Sequence, residues 1–201
     1  RDWYSLHFPE LVYEIRDIGQ LAKILDDSVQ RDDLEAFSEM AESSNGSEMG
    51  EKQKEIIETV LEDLNSNLGL RDELEAYIKS SVKDEMPNLS KLLDPIIAAQ
   101  ILAQAGGLDE LAKMPASTVQ MLGAEKALFR YLRGNGTPPK HGILFEHEFV
   151  RPLPSNPRGK MARFLANKTV MAARLDNYGD KDKGEDLRQE ARQKFQELKG
   201  E

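Results

Sequence analysis

The sequence predicts an all-α chain: a long helical hairpin, or coiled coil, followed by a compact helical domain. Three observations predict it. Apolar residues recur at helical spacing along most of the 201 residues. Charged residues reach 31%, above the usual share of about 25%, which suits long solvated helices. Only one segment, Gly142 to Val150, is ambiguous between a short strand and a helix.

The first element is a long helix. Leu11, Ile15, Ile18, Ala22, Leu25 and Val29 are spaced 4, 3, 4, 3, 4, the rhythm of a coiled-coil seam. The pattern weakens at Leu34 and Phe37, and the turn formers Ser43 to Ser47 break it. A second helix carries Ile57, Leu61, Leu64 and Leu68, then Leu74, Ile78 and Val82 beyond a disturbance at Gly69. It stops at Met86-Pro87, because a residue before proline disfavours the α region. Two amphipathic helices around a polar break predict an antiparallel hairpin. The seam partner is either the same chain or a second copy.

From Asn88 the texture changes. Leu92 to Ala105 is apolar on most of its surface and reads as one buried helix ending at Gly106-Gly107. A short helix or turn follows from Leu108 to Lys113, and Pro115 opens another with Val119, Met121 and Leu122 inward. Ala124 to Arg133 precedes a clear loop, Gly134 to Pro139. Arg158 to Tyr178 is a long helix that packs through alanines, and Glu185 to Leu198 is a last, charged helix. The expected domains are 1–87, the hairpin; 88–178, the compact domain; and 179–201, a C-terminal linker and helix.

Composition limits the chemistry. There is no cysteine, which excludes disulfides, thiolate metal sites and cysteine nucleophiles. The best apolar run, Pro95 to Ala103, contains Gln100 and is too short to span a membrane. The chain begins at Arg1 with no signal-peptide pattern, so it is read as a piece of a longer protein. His147 lies between Glu146 and Glu148, but adjacent residues do not share a helical face, so no metal site is expected there. Ser117 near Lys113 lacks any visible oxyanion partner, and no P-loop, G-x-S-x-G or G-x-G-x-x-G run occurs. The chain is expected to be non-enzymatic and to need no cofactor or metal.

The net charge of −9 argues against nucleic acid until the chain is divided. Between Glu125 and Tyr178 ten cations face four anions, a net +6, which leaves −15 for the rest. Lys160, Arg163, Lys168 and Arg174 on the long helix can form one broad face, and Arg130 and Arg133 sit one turn apart. Guanidinium forks suit phosphate, and several together give a salt-dependent affinity for a nucleic-acid backbone. A solvated face paired with the acidic hairpin is the alternative.

Three blocks in order carry a resemblance: Met114 to Phe129 (MPASTVQMLGAEKALF), Pro139 to His147 (PKHGILFEH), and Arg158 to Lys168 (RGKMARFLANK) continuing to Ala172-Ala173-Arg174-Leu175-Asp176. The chain closely resembles the Nop domain family, and within it the archaeal Nop56/58-like scaffolds of box C/D guide ribonucleoproteins. The likeness is strong over the last half and mainly architectural over the hairpin. It implies a compact Nop domain over 88–178 that binds kink-turn guide RNA together with a ribosomal-type kink-turn-binding protein. It implies a coiled coil through which two copies associate, and the apolar spacing puts Leu11, Ile15, Ile18, Leu25, Ile57, Leu61 and Leu64 in its seam. It also implies support of fibrillarin in RNA 2′-O-methylation, through an N-terminal domain to which nothing here corresponds. By position, Lys113, Ala116 and Ser117 would line the RNA side with Lys140, Arg163, Lys168 and Arg174, and the charge pattern adds Lys126 and Arg130. A pure assembly module and a spliceosomal-type RNA binder are the alternatives. An archaeal, cytoplasmic setting is expected.

Overall fold

The computed structural model describes residues 1–179 and 181–200. Among them the chain is all-α, with no strand. Short helices α1 (Pro9–Glu14), α2 (Ile18–Ile24) and α3 (Ser38–Glu42) precede the long helix α4 (Glu51–Glu85). Then come α5 (Pro87–Leu93), α6 (Pro95–Ala105), α7 (Leu108–Lys113), α8 (Ala116–Met121), α9 (Glu125–Leu132), α10 (Ser155–Tyr178) and α11 (Gly184–Lys199). The ambiguous segment resolves as a 3-10 turn, Ile143–Glu146.

Contacts divide the chain into two compact units, Arg1–Leu74 and the remainder from Glu75, with the division falling inside α4. In the first unit, the arm before α4 is not the continuous helix that the 4,3,4,3,4 spacing predicts. α1 ends at Ile15 in extended backbone, and α2 restarts three residues later. The reason is Asp17, whose side chain accepts the Gln20 N–H at 2.8 Å and caps the new helix. A short acidic side chain that bonds its own backbone favours such a start over a helix interior.

Breaking the arm redistributes the seam. Leu11, Leu25 and Ile57 are buried together with Tyr4, Phe8, Leu21 and Val29, while Ile15 and Leu61 pack on the margin. Leu64 is half-buried and Ile18 is exposed. Leu11, Ile15 and Leu25 of the arm therefore pack within this chain with Ile57 and Leu61 in the first turns of α4. A buried polar hub locks the arm. Arg31 donates to the Gly46 carbonyl (2.8 Å) and to Glu48 (2.6 Å), and its own N–H donates to His7 Nε2 at 3.2 Å. His7 Nδ1 then meets the Ser47 carbonyl at 2.8 Å, which fixes the Nδ1-protonated tautomer.

In the second unit, α10 is the central element and packs against α5, α7, α8 and α11. Met161, Ala162, Leu165, Ala166, Thr169, Val170, Ala172 and Ala173 form its buried side. The alanines allow close helix approach, as the sequence suggests. α11 adds Leu187, Ala191 and Leu198 to the same core. The predicted single helix from Leu92 to Ala105 is two, broken at Asp94-Pro95. Asp94 takes a positive φ of 78°, rare for a non-glycine, and its carboxylate caps the Ile96 N–H at 2.9 Å. Proline lacks the N–H that a continuing helix needs and disfavours α backbone at the residue before it.

Candidate nucleic-acid interface

The candidate cations fall into separate settings rather than one face. α10 explains why. At about 100° per residue, Arg163 and Arg174, eleven positions apart, return to within about 20° of each other. Asn167, Met171 and Tyr178 complete that exposed stripe. Lys168 lies about 140° away from Arg163 around the axis. It points at α11, ion-pairs with Glu190, and places its ammonium 5.4 Å from the Phe164 ring centre. Its side chain is only 12% exposed. Lys168 is thus a tether between α10 and α11, and the broad face with Lys160, Arg163 and Arg174 is corrected to a narrower stripe.

Arg163 is exposed and has no ion-pair partner among the described residues. Arg174 lies on the same stripe but spends its Nε on the Ala112 carbonyl, 2.9 Å away at the end of α7. A cation at a helix C-terminus satisfies an orphan carbonyl and complements the local dipole. This contact joins α10 to Lys113, the last residue of α7.

Lys113 is exposed and ion-paired with Asp109, with Glu110 at 3.8 Å. Asp109 also accepts the Tyr178 hydroxyl (3.1 Å) and Asn177 Nδ2 (3.3 Å) from α10. The Lys113 bond, then the Tyr178 bond, holds the Asp109 carboxyl below the ordinary carboxylate range. The same Asp109 bond raises Lys113, so it remains an ammonium. Ala116 and Ser117 open α8 two residues beyond Pro115's predecessor Met114. Ala116 packs on the core and Ser117 is exposed.

Lys140 belongs to the other end of α10. Its side-chain carbons pass over Gly159, and its carbonyl accepts Gln120 Nε2 at 2.7 Å. His141 stacks on Phe145 at 4.8 Å, and the Arg158 guanidinium sits 5.1 Å from the centre of the Phe145 ring. Burial, then the Arg158 charge, depresses the His141 pKa. Sequence reasoning missed Gln120 and Arg158 as builders of this end. The legible signal was Gly142, which follows the pair Lys140-His141 and permits the close approach described below. Lys126 and Arg130 lie one turn apart on α9, both exposed, beside exposed Phe129 and Leu132.

His147 is buried and pins the segment after the 3-10 turn to α5. Nδ1 accepts the Phe149 N–H (3.1 Å), so Nε2 carries the proton and donates to the Leu92 carbonyl at 3.1 Å. Burial disfavours the charged imidazolium and pushes the His147 pKa below the ordinary 6.5. The folded state therefore binds fewer protons than the unfolded chain in this range. Stability is fully present above the unfolded value and falls as pH drops from about 6.5, by at most about 1.4 kcal/mol per pH unit for each histidine. Denaturant midpoints measured from pH 7.5 to 5.5 check this, and His147→Gln, which keeps a neutral donor and acceptor, is expected to flatten the slope.

The fold and this surface define a class: a helical module built on one long alanine-backed helix whose outer stripe and flanking loops are cationic. The chain belongs to the Nop family, whose model, described as "snoRNA binding domain, fibrillarin", matches residues 1–197. An uncharacterised NOP5 family protein of Methanocaldococcus jannaschii is 41% identical over 198 residues, covering 90% of this chain and 47% of that protein. Nucleolar protein 56 of Homo sapiens is 35% identical over 198 residues, covering 90% of this chain and 33% of its own length. Among solved structures, the crystal structure of a fibrillarin/Nop5p complex matches with a TM-score of 0.56 and 29% identity, covering 98% of this chain and 68% of that one. The chain spans half or less of the length of these curated relatives. Among the described residues no helix is long and apolar enough to cross a membrane.

Proposed function

We propose that this chain is the RNA-reading and assembly portion of a box C/D ribonucleoprotein scaffold. It binds kink-turn guide RNA together with a ribosomal-type kink-turn-binding protein, without catalysing a reaction itself. Methylation belongs to fibrillarin, engaged through other parts of the scaffold. The observation that carries the reading is the family match over residues 1–197 combined with an outward stripe holding Arg163 and Arg174. Phosphate contacts of this kind set register and orientation rather than sequence preference.

Self-association through α4 is part of the same reading. Ile56, Val60, Leu70 and Leu74 are all about half-exposed or more and fall at alternating a- and d-type positions of one heptad frame in the first unit. A monomer mass by light scattering across a dilution series would remove this element of the proposal.

The RNA reading is tested by gel shift with kink-turn RNA, with and without the partner protein, over a salt series. Arg163→Ala is expected to weaken the ternary complex and lower the salt slope by about one unit. Lys168→Ala, which removes a tether rather than a phosphate contact, is expected to leave the slope unchanged. No supershift at low salt from the folded chain would overturn the proposal. Release of the partner by ribonuclease in a pull-down separates it from a pure protein-assembly module.

A further inference from the structure

Two Asn-Gly pairs occur in the chain, Asn45-Gly46 and Asn135-Gly136, in opposite environments. We propose that Asn135-Gly136 is a site of spontaneous deamidation that places a carboxylate in the cationic α9 region, and that Asn45-Gly46 is protected from the same chemistry. The reaction needs no oxidant or metal. The Gly136 main-chain nitrogen, losing its proton to hydroxide, attacks Asn135 Cγ. The new N–Cγ bond forms, the Cγ–Nδ2 bond breaks, and the amide leaves as ammonia after taking up a proton. One water then opens the succinimide ring at either carbonyl, giving aspartate or isoaspartate. The balance is one water in and one ammonia out, with a carboxylate replacing a neutral amide.

Attack requires a free nitrogen and room for the ring to close. Asn135 and Gly136 are both exposed, and a side chain built at Gly136 would meet nothing within 4 Å. The loop's main-chain ties, Gly134 N–H to the Tyr131 carbonyl at 2.9 Å and Asn135 N–H to the Arg130 carbonyl at 3.0 Å, leave the attacking Gly136 nitrogen unheld. Gly46 is the contrast. Its N–H donates to Ser44 Oγ at 3.2 Å and its carbonyl accepts Arg31 Nη1 at 2.8 Å. Its α-carbon is wedged so tightly that an added Cβ would lie 1.8 Å from the His7 carbonyl oxygen. The same dipeptide is free in one place and clamped in the other.

The product matters because of its neighbours. From Glu125 to Lys140 the cations Lys126, Arg130, Arg133 and Lys140 oppose only Glu125, a net +3 that becomes +2. A carboxylate just past the end of α9 weakens attraction for a polyanion at low salt and matters less as salt rises. The modification thus acts as a slow, irreversible reduction of this surface's anion affinity; this consequence, unlike the chemistry, bears on the proposed RNA role.

The test holds the full chain at mildly alkaline pH and follows both pairs by peptide mass mapping, with isoaspartate labelled enzymatically. Asn135 is expected to convert at least about tenfold faster than Asn45, the factor that roughly 1.4 kcal/mol makes in a rate. Asn135→Gln is expected to block conversion, and Asn135→Asp to elute from heparin, a polyanion without sequence, at lower salt than the unmodified chain. Equal rates at the two pairs, or no conversion at Asn135, would overturn the site. Unchanged heparin elution would overturn its consequence. Failure to shift kink-turn RNA speaks only against the scaffold reading, since neither readout uses that RNA.

Discussion

Asp176→Ala is expected to lower the unfolding free energy of the second unit by about 2–4 kcal/mol, one of the largest effects of any single polar substitution in it. Asp176 lies near the end of α10, and its carboxylate caps another helix. Oδ1 accepts the Asn88 main-chain N–H at 2.9 Å and the Asn88 side-chain amide at 2.8 Å, while Oδ2 accepts the Leu89 N–H at 2.9 Å. These are donors in the first turn of α5, which has no side-chain cap of its own. Alanine leaves them without an acceptor at a site where Asn88 is 3% exposed and Leu89 fully buried. Asn88 then loses its hold on the chain entering α11, since its side chain also binds the Lys181 carbonyl (3.2 Å) and the Lys183 N–H (2.6 Å). Asp176→Asn is expected to recover little, because its amide turns a donor toward donors. The nearby Asp182, an exposed partner of Lys91, serves as a comparison: Asp182→Ala is expected to leave the midpoint in place. Denaturant melts followed by helix signal decide between these outcomes, and a midpoint equal to that of the unsubstituted chain would refute the capping role.

That contact shows where sequence reading succeeds and where it stops. The end of α4 at Met86-Pro87, the alanine-backed α10 and the charged α11 are legible because proline chemistry and helical periodicity are local. The break at Asp94-Pro95 was written in the sequence too, but an unbroken apolar run concealed it. The break at Asp17 was harder, since a coiled-coil rhythm persisted across a residue that caps a new helix instead. Lys168 illustrates a phase error: it shares charge with Arg163 but not direction, and counting 100° per residue separates them. The cap on α5 had no local signal, because Asn88 and Asp176 are 88 positions apart. Likewise nothing around Arg31 announces that its guanidinium will be buried against the carbonyls of His7 and Gly46. Charge by segment located the candidate surface; tertiary contacts decided which cations remained available on it.

Gly142→Ala is expected to disrupt the Lys140 end of the interface and to cost about 2–4 kcal/mol, since overpacking is added to lost main-chain hydrogen bonds. The Gly142 N–H donates to the Gln120 carbonyl at 3.0 Å, and the Ile143 N–H donates to the Leu122 carbonyl at 2.9 Å. These two bonds press the loop against the end of α8. A Cβ on residue 142 would lie 1.8 Å from the Leu122 oxygen and 2.8 Å from its carbon, both main-chain atoms that cannot swing aside. The segments must separate, which pulls on buried Leu144 and breaks the geometry that lets Gln120 hold the Lys140 carbonyl. Gly159→Ala provides the opposite expectation in the same neighbourhood. Its Cβ would meet only the flexible Lys140 side chain, at an ordinary 3.5 Å, and an alanine inside α10 is favoured over glycine by up to about 1 kcal/mol. Thermal melts should therefore move in opposite directions for the two substitutions. Kink-turn RNA binding by Gly142→Ala, measured well below its melting point, should weaken along with the displaced Lys140. Equal stability of the two variants would mean that the loop yields at little cost, and that the close approach at Gly142 does not position this end of the surface.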